Sequence, residues 1–324
     1  YGYVDKEKPK CAGFGRKFDL QNNFPEIAGR KIVTHLEFDN NASAPLVIKV
    51  ALSAVSTQGA IKNLEAETKG KSFDQIAAEA TAKWNKELNV VDITGDIDKK
   101  TMFYTSLYHT MINPSVYMDV DGQYRGIDHN IHQVKGFTNY TIFSVWDTFR
   151  ALHPLFNLIN RERSTDIVKS MIAHYEQSVH KALPVWSHMG NENWCMIGYH
   201  AVPEIADAYL KGIRGYDANE ALDAMVASAS YAPYGHLGDY MKLGYVPVDR
   251  DAEGASQTVE YAYDDWTIWR MAKSLGREDV ARTFEKRAGY WRNVFDTQTG
   301  FVRPRLADGR FREPFNPALA GNDS

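Results

Sequence analysis

The sequence predicts a mainly α protein with a β portion at its N-terminal end, and three observations carry that prediction. Apolar residues alternate with period two in residues 31–38 and again in residues 46–55. From residue 57 the apolar period becomes helical, and it recurs to about residue 295. Two segments, 114–143 and 185–199, have no period and mix aromatic with polar side chains. Long aperiodic loops inside a compact domain are usually functional.

Residues 1–30 mix Gly, Pro and charge without a period and read as a loop or an irregular edge. In residues 31–38, Ile32, Thr34, Leu36 and Phe38 alternate with Val33, His35 and Glu37. The turn-like stretch 39–45 then leads into the second alternating run, so the pair reads as a β-hairpin. Two strands are not stable alone, so they must belong to a larger sheet. Ser72 and Gln75 make a capping-box pattern ahead of Phe73, Ile76, Ala77, Ala80, Trp84 and Leu88, which share one helix face. A second helix follows Asp96, with Phe103, Leu107 and Met111 at every fourth position. Others are expected from Ser164, from Pro203 to Gly212, and from Asp217 with Glu220 three residues on. The last two cover about 256–275, stopped by Gly276, and about 278–295.

Apolar residues make up 44% and charged residues 24%, the proportions of an ordinary globular chain. A length of 324 residues favours two domains. The formal net charge is −4 with Lys and Arg spread among Asp and Glu, so no basic stripe offers itself to nucleic acid. No apolar run approaches the ~20 residues of a membrane span. Cys11 and Cys195 are the only cysteines and form no zinc or disulfide pattern; both are read as free, Cys195 as a small packed hydrophobe. The chain opens Tyr1-Gly2-Tyr3 without an initiator Met or a signal peptide, as expected of a processed start or an internal piece.

Two runs set flat aromatic faces beside acids, amides and a guanidinium: Phe143 to Arg150, containing Trp146 and Asp147, and Gly190 to His200, containing Glu192 and Trp194. Sugars are bound by such pairs, their C–H faces on the rings and their hydroxyls on the polar groups. For Trp146 and Asp147 the competing reading is a core ring beside a helix-start acid, and for Glu192 it is local backbone capping. Arg150 reads better as a partner for a neighbouring carboxylate. His188 and His200 lack metal spacing and read as satisfied interior residues. Glu260 and Asp264 stand four apart on one helix face with Asp265 beside them, a grouping able to raise one pKa but more often a solvated face. Asp119, Asp121 and Gly122 echo a calcium loop whose later ligands are missing.

These runs resemble the signature blocks of the family 92 glycoside hydrolases, calcium-dependent exo-acting α-mannosidases. The likeness extends over about residues 28–317 and includes Phe103 to His109, Asp119 to Gly126, Trp146 to Leu155, Tyr261 to Trp266, and Phe295 to Arg305. It implies the end of a β-sandwich domain at 1–60, a linking helix at 61–95 and a partial (α/α)6 barrel at 96–324. Trp146 and Asp147 would line the terminal-mannose subsite, with Glu192 and Asp265 as further substrate-binding residues. In this family a glutamic acid protonates the leaving oxygen and a second carboxylate activates water, so the anomeric centre inverts; inverting pairs stand roughly 6.5–9.5 Å apart. The family's acid, base and calcium-binding blocks lie beyond the Phe315-Asn316-Pro317 position, and nothing after it matches the first two; Gly321-Asn322-Asp323-Ser324 echoes the third by chance. The resemblance therefore implies that catalytic residues and calcium ligands fall outside this chain. The expected partner is an α-mannoside or N-glycan, together with the missing half of the barrel, in an extracytoplasmic and bacterial setting. The alternatives are a carbohydrate-binding or partner-dependent module without chemistry, or another (α/α)6 sugar enzyme.

Overall fold

The computed structural model describes residues 47–318 and the strand pair at residues 2–3 and 35–36. The chain divides into two compact units, Tyr1–Lys49 and Val50–Ser324. In the first, β1 (Gly2–Tyr3) pairs antiparallel with β2 (His35–Leu36), Gly2 opposite Leu36. The rest of the expected strand at 31–38 lies outside the described residues. The second arm of the expected hairpin is not a strand: residues 47–55 run without ladder bonds, with Val47, Ile48, Val50 and Leu52 exposed. Alternation makes a strand only where another strand supplies the ladder, and none does so among the described residues.

In the second unit α1 (Thr57–Thr68) starts where Ser56 accepts from the Gly59 N–H. The capping box is formed at α2 (Phe73–Leu88), with Ser72 and Gln75 each satisfying the other's backbone. No residue of its apolar face is fully buried: Leu88 packs partly against the core, and Trp84 meets Tyr108 of α3 (Ile97–Thr110) edge-on at 4.6 Å. Asp96 caps α3 through the Lys99 N–H.

The aperiodic segments hold short strands: β3 (Ser115–Val116), β4 (Gln123–Arg125), β5 (Ile131–Gln133), β6 (Tyr140–Thr141), β7 (Phe143–Ser144), β8 (Trp186–His188) and β9 (Asn191–Glu192). β3 pairs with β6, β4 with β5, and β7, β8 and β9 form one antiparallel sheet. Between β7 and β8 come α4 (Val145–Thr148), α5 (Leu152–Ile159) and α6 (Arg161–Gln177), the last beginning a turn before the expected Ser164. After β9 follow α7 (Ala201–Leu210), α8 (Ala218–Ala229), α9 (Leu237–Leu243), α10 (Gly254–Ser274) and α11 (Glu278–Ala288). The last helix stops seven residues early; beyond Gly289 a single 3₁₀ turn (Tyr290–Asn293) leads into the hairpin β10 (Phe295–Asp296) and β11 (Phe301–Val302).

The helices stand in two layers. α7 is buried on all sides, eight of its ten residues being inaccessible, and it packs on α5, α6, α8 and α10. A helix buried all round is an inner one. α10 crosses behind it and packs on α7, α8 and α11. α11 shows only Ala281, Phe284 and Arg287 to the interior and is an outer helix. One core of fully buried side chains joins the layers, among them Ile167, Met171, Ile205, Leu222, Met225, Tyr261 and Met271. Among the described residues no helix is long and apolar enough to cross a membrane. Cys195 is free but exposed rather than packed, while Cys11 lies outside the described residues.

Candidate active site

The sheet of β7, β8 and β9 brings the two aromatic-polar runs together. Phe143 lies opposite Ser187 and Ser144 opposite Trp186, while Ser187 in turn faces Glu192. β7 leads directly into α4, so Trp146 and Asp147 emerge at the edge of this sheet. Asp147 is exposed, and one of its oxygens accepts from Ser144 Oγ at 2.6 Å. Trp146 is half-buried, and its indole Nε1 donates to both Glu260 oxygens, at 3.2 and 3.1 Å. The Arg150 guanidinium lies 5.0 Å from the Trp146 ring and 4.7 Å from the Phe149 ring, and reaches Glu260 at 3.5 Å.

Behind this surface stands His200, the residue that opens α7. Its Nε2 meets Glu260 Oε2 and its Nδ1 meets Asp264 Oδ1, both at 2.7 Å. Phe149 stacks on the imidazole at 4.0 Å. Carboxylates accept only, so two such contacts require a proton on each nitrogen, that is, an imidazolium. Burial works against that charge, but the Asp264 carboxylate, with Glu260, outweighs it and holds the pKa up at about 9. Asp264 is itself fully buried; burial raises its carboxyl, against the His200 charge and the Tyr199 N–H that pull it down. Glu260 keeps 19% of its side chain exposed, so this hydrogen-bonded chain of residues reaches the surface beside Trp146. Beneath lies a second pair, Glu204 and His153, 3.1 Å apart but not aligned for a hydrogen bond. Burial pushes Glu204 well up and His153 down to about 3, and Glu204 takes the Thr148 hydroxyl at 2.9 Å.

Residues 59–324 match the glycosyl hydrolase family 92 catalytic domain. The chain belongs to that family. A family GH92 alpha-mannosidase from Bacteroides thetaiotaomicron, solved in complex with mannoimidazole, is 48% identical over 82% of this chain and 35% of its own, with a TM-score of 0.80. A family GH92 inverting mannosidase from the same organism is 35% identical over 82% of this chain and 37% of its own, with a TM-score of 0.75. An uncharacterized secreted glycosidase of Arthroderma benhamiae is 27% identical over 91% of this chain and 36% of its own length. The chain thus spans little more than a third of these relatives. The helical layers described above are the part of the family 92 barrel that this chain holds, as the likeness to those structures shows.

Within this family 92 domain the four residues singled out from sequence occupy two kinds of place. Trp146, half-buried, and Asp147, exposed, stand together where β7 runs into α4. Glu192 instead turns back on its own loop, accepting from the backbone N–H groups of Val185 at 3.0 Å, Trp186 at 2.8 Å and Trp194 at 3.0 Å. Burial pushes its carboxyl up, against those N–H donors. Asp265 has no exposed surface; it accepts from the hydroxyls of Tyr199 at 2.7 Å and Tyr240 at 2.8 Å and from Arg287 Nε at 2.9 Å. Burial lifts Asp265 to about 6, the Arg287 charge pulling the other way. His200 is interior as expected, whereas His188 is exposed. Sequence reading named Glu260 and His200 separately and did not foresee that they pair. The spacing of Glu260 from Asp264 hints at a shared face, but the imidazole that joins them comes from 60 residues away. Among the described residues no group of three or more His, Cys, Asp or Glu side chains is placed to hold a metal ion. Asp119 is taken up by Ser53 and Asn63, and Asp121 by Lys62, so the echo of a calcium loop is a clasp onto α1.

Proposed function

We propose that this chain supplies the sugar-gripping wall of an inverting, calcium-dependent exo-α-mannosidase acting on N-glycan-like α-mannosides, with Trp146 and Asp147 holding the terminal mannose. The observation that carries this reading is the Trp146 indole fixed by Glu260 beside an exposed Asp147. The ring offers a flat face to sugar C–H groups, and the Asp147 oxygen that Ser144 leaves free accepts a hydroxyl. Glu260, held by Trp146 and His200, adds a second acceptor beside them. Glu192 and Asp265 act one step behind, the first shaping the loop of Trp186 and Trp194, the second anchoring α10. The solved relatives named as mannosidases support this substrate class, and the relative named as secreted supports an extracytoplasmic setting. Their Bacteroides source supports a bacterial one. In the complete enzyme calcium would chelate sugar hydroxyls. Following the family resemblance, we place its ligands, with the acid and the base, in other parts of the enzyme.

Titration calorimetry with methyl α-mannoside tests the reading. The chain should bind it weakly, and Asp147→Asn and Trp146→Ala should each weaken binding about tenfold, the worth of one lost charged hydrogen bond or ring face. Unchanged affinity in both variants would refute the placement.

A further inference from the structure

α4 is the single turn that carries Trp146 and Asp147, and Thr148 ends it. Helices this short are marginal by themselves, and Ser144 gives α4 no side-chain cap. What holds the turn comes from α7 beneath it. His200 opens α7 and Glu204 follows four residues on, so the two share one face of the helix. Phe149 stacks on the His200 ring at 4.0 Å. Glu204, buried in the interior, meets Thr148.

The contacts of Glu204 form a continuous line to the surface. Thr148 Oγ1 donates to Glu204 Oε1 at 2.9 Å and to the Ser144 carbonyl at 3.1 Å, one hydroxyl serving two oxygens. Ser144 Oγ in turn donates to Asp147 Oδ2 at 2.6 Å. A buried carboxyl is thereby tied, through two hydroxyl side chains, to the exposed carboxylate of Asp147. The other Glu204 oxygen, Oε2, is buried without a hydrogen-bond partner, and so is His153 Nε2, 3.1 Å away. Polar atoms buried in that state are unfavourable. Apolar side chains of the same shape at Thr148 and Glu204 would fill this interior at little or no cost in stability. Packing alone therefore does not account for a carboxyl here.

We propose that Glu204 is a positioning residue for the sugar site: through Thr148 and Ser144 it fixes the Asp147 carboxylate so that its free oxygen meets a hydroxyl of the bound mannoside. The proposal rests on the mannoside reading above. Glu204 does not touch the sugar. It holds the end of α4 down on α7, and with it the Ser144 hydroxyl that sets the orientation of Asp147.

The test is calorimetric titration of the chain and its variants with methyl α-mannoside, each variant checked for folding by circular dichroism. Glu204→Leu should weaken binding about fivefold, the effect of one lost hydrogen bond. Glu204→Gln keeps a carbonyl oxygen for Thr148 and should bind within about twofold of the parent chain. Beside Asp147→Asn, Glu204→Leu should cost less than about twofold more, because two changes along one line of contacts do not add. Parent-like affinity in Glu204→Leu, an equal loss in Glu204→Gln, or the same loss again beside Asp147→Asn overturns the positioning role alone. Should Glu204→Leu not fold, Thr148→Val cuts the same link from the α4 side, and parent-like affinity there overturns the role. Failure of the parent chain to bind methyl α-mannoside overturns the mannoside reading, and this one with it.

Discussion

Replacing His200 by Gln should remove a pH dependence of stability that the parent chain possesses. In the unfolded chain the imidazole titrates near its ordinary value of 6.5, and in the folded chain it holds its proton up to about 9. A pKa raised by folding contributes stability that is fully present below the unfolded value and is lost as pH rises through the folded one. Each pH unit is worth ~1.4 kcal/mol, so the window from 6.5 to about 9 corresponds to about 3 kcal/mol. The ring is wholly buried, so solvent screening removes little of it. Asp264 moves the same way, since burial raises its carboxyl as well. Lys and Tyr groups that ionise in this range are common to both proteins and cancel in the comparison. For a unit of this size ~2–3 °C accompanies each kcal/mol. Calorimetric melting at pH 6 and pH 9.5 should therefore show the parent chain losing about 6–9 °C more than His200→Gln. Parallel pH profiles would refute the buried imidazolium, and with it the account of how Glu260 is held.

Two further outcomes follow from the same geometry. Asp265→Ala strands the Arg287 guanidinium in the interior between α10 and α11, and should cost about 3–5 kcal/mol in urea unfolding, the usual effect of breaking a buried pair; a loss under 1 kcal/mol would contradict the assignment of Asp265 to the scaffold. Gly198→Ala places a Cβ against the His200 ring at a backbone φ of +83°, which only glycine adopts freely. It should weaken methyl α-mannoside binding several-fold and lower the melting temperature, and a variant as stable and as tight as the parent would show that the strap before α7 is not rigid.

Much of the helical frame is legible in residue order because its signals are local. Ser72 with Gln75, Asp96, and Asp217 start helices where their side chains say they should. The apolar positions Ile167 and Met171 of α6 are buried as their spacing requires. What is not legible depends on distant partners. Residues 47–55 alternate like a strand but meet no ladder partner among the described residues. The face of α2 is amphipathic yet only its Leu88 end packs on the core, since periodicity says which residues share a face and not whether anything covers it. α4, α5 and α9 are too short to show a period. The site divides in the same way. Aromatic-acid adjacency marks Trp146 and Asp147. Glu192 and Asp265 look alike as exposed-type acids in sequence, but three backbone N–H groups and a buried Tyr-Tyr-Arg cage claim them.

The acids of the inner layer are each disposed of differently, and the differences explain how Glu260 is held. Asp264 and Asp265 are consecutive on α10, about 100° apart around the helix, so one faces the His200 cation and the other the Arg287 cation. Asp264 and Asp265 thus each face a buried cation, whereas burial raises the Glu204 carboxyl and the Thr148 hydroxyl is its hydrogen-bond partner. Such pairs stabilise little compared with apolar packing, so stability alone does not account for them. What they provide is position. Asp264 orients His200, His200 and Trp146 fix Glu260 from two sides, and Asp265 locks the same helix against α11 through Arg287. A hydroxyl-binding site needs its acceptors held to within about half an ångström. A charged lattice with one donor for each acceptor meets that need where a purely apolar core between α7 and α10 would let Glu260 swing free.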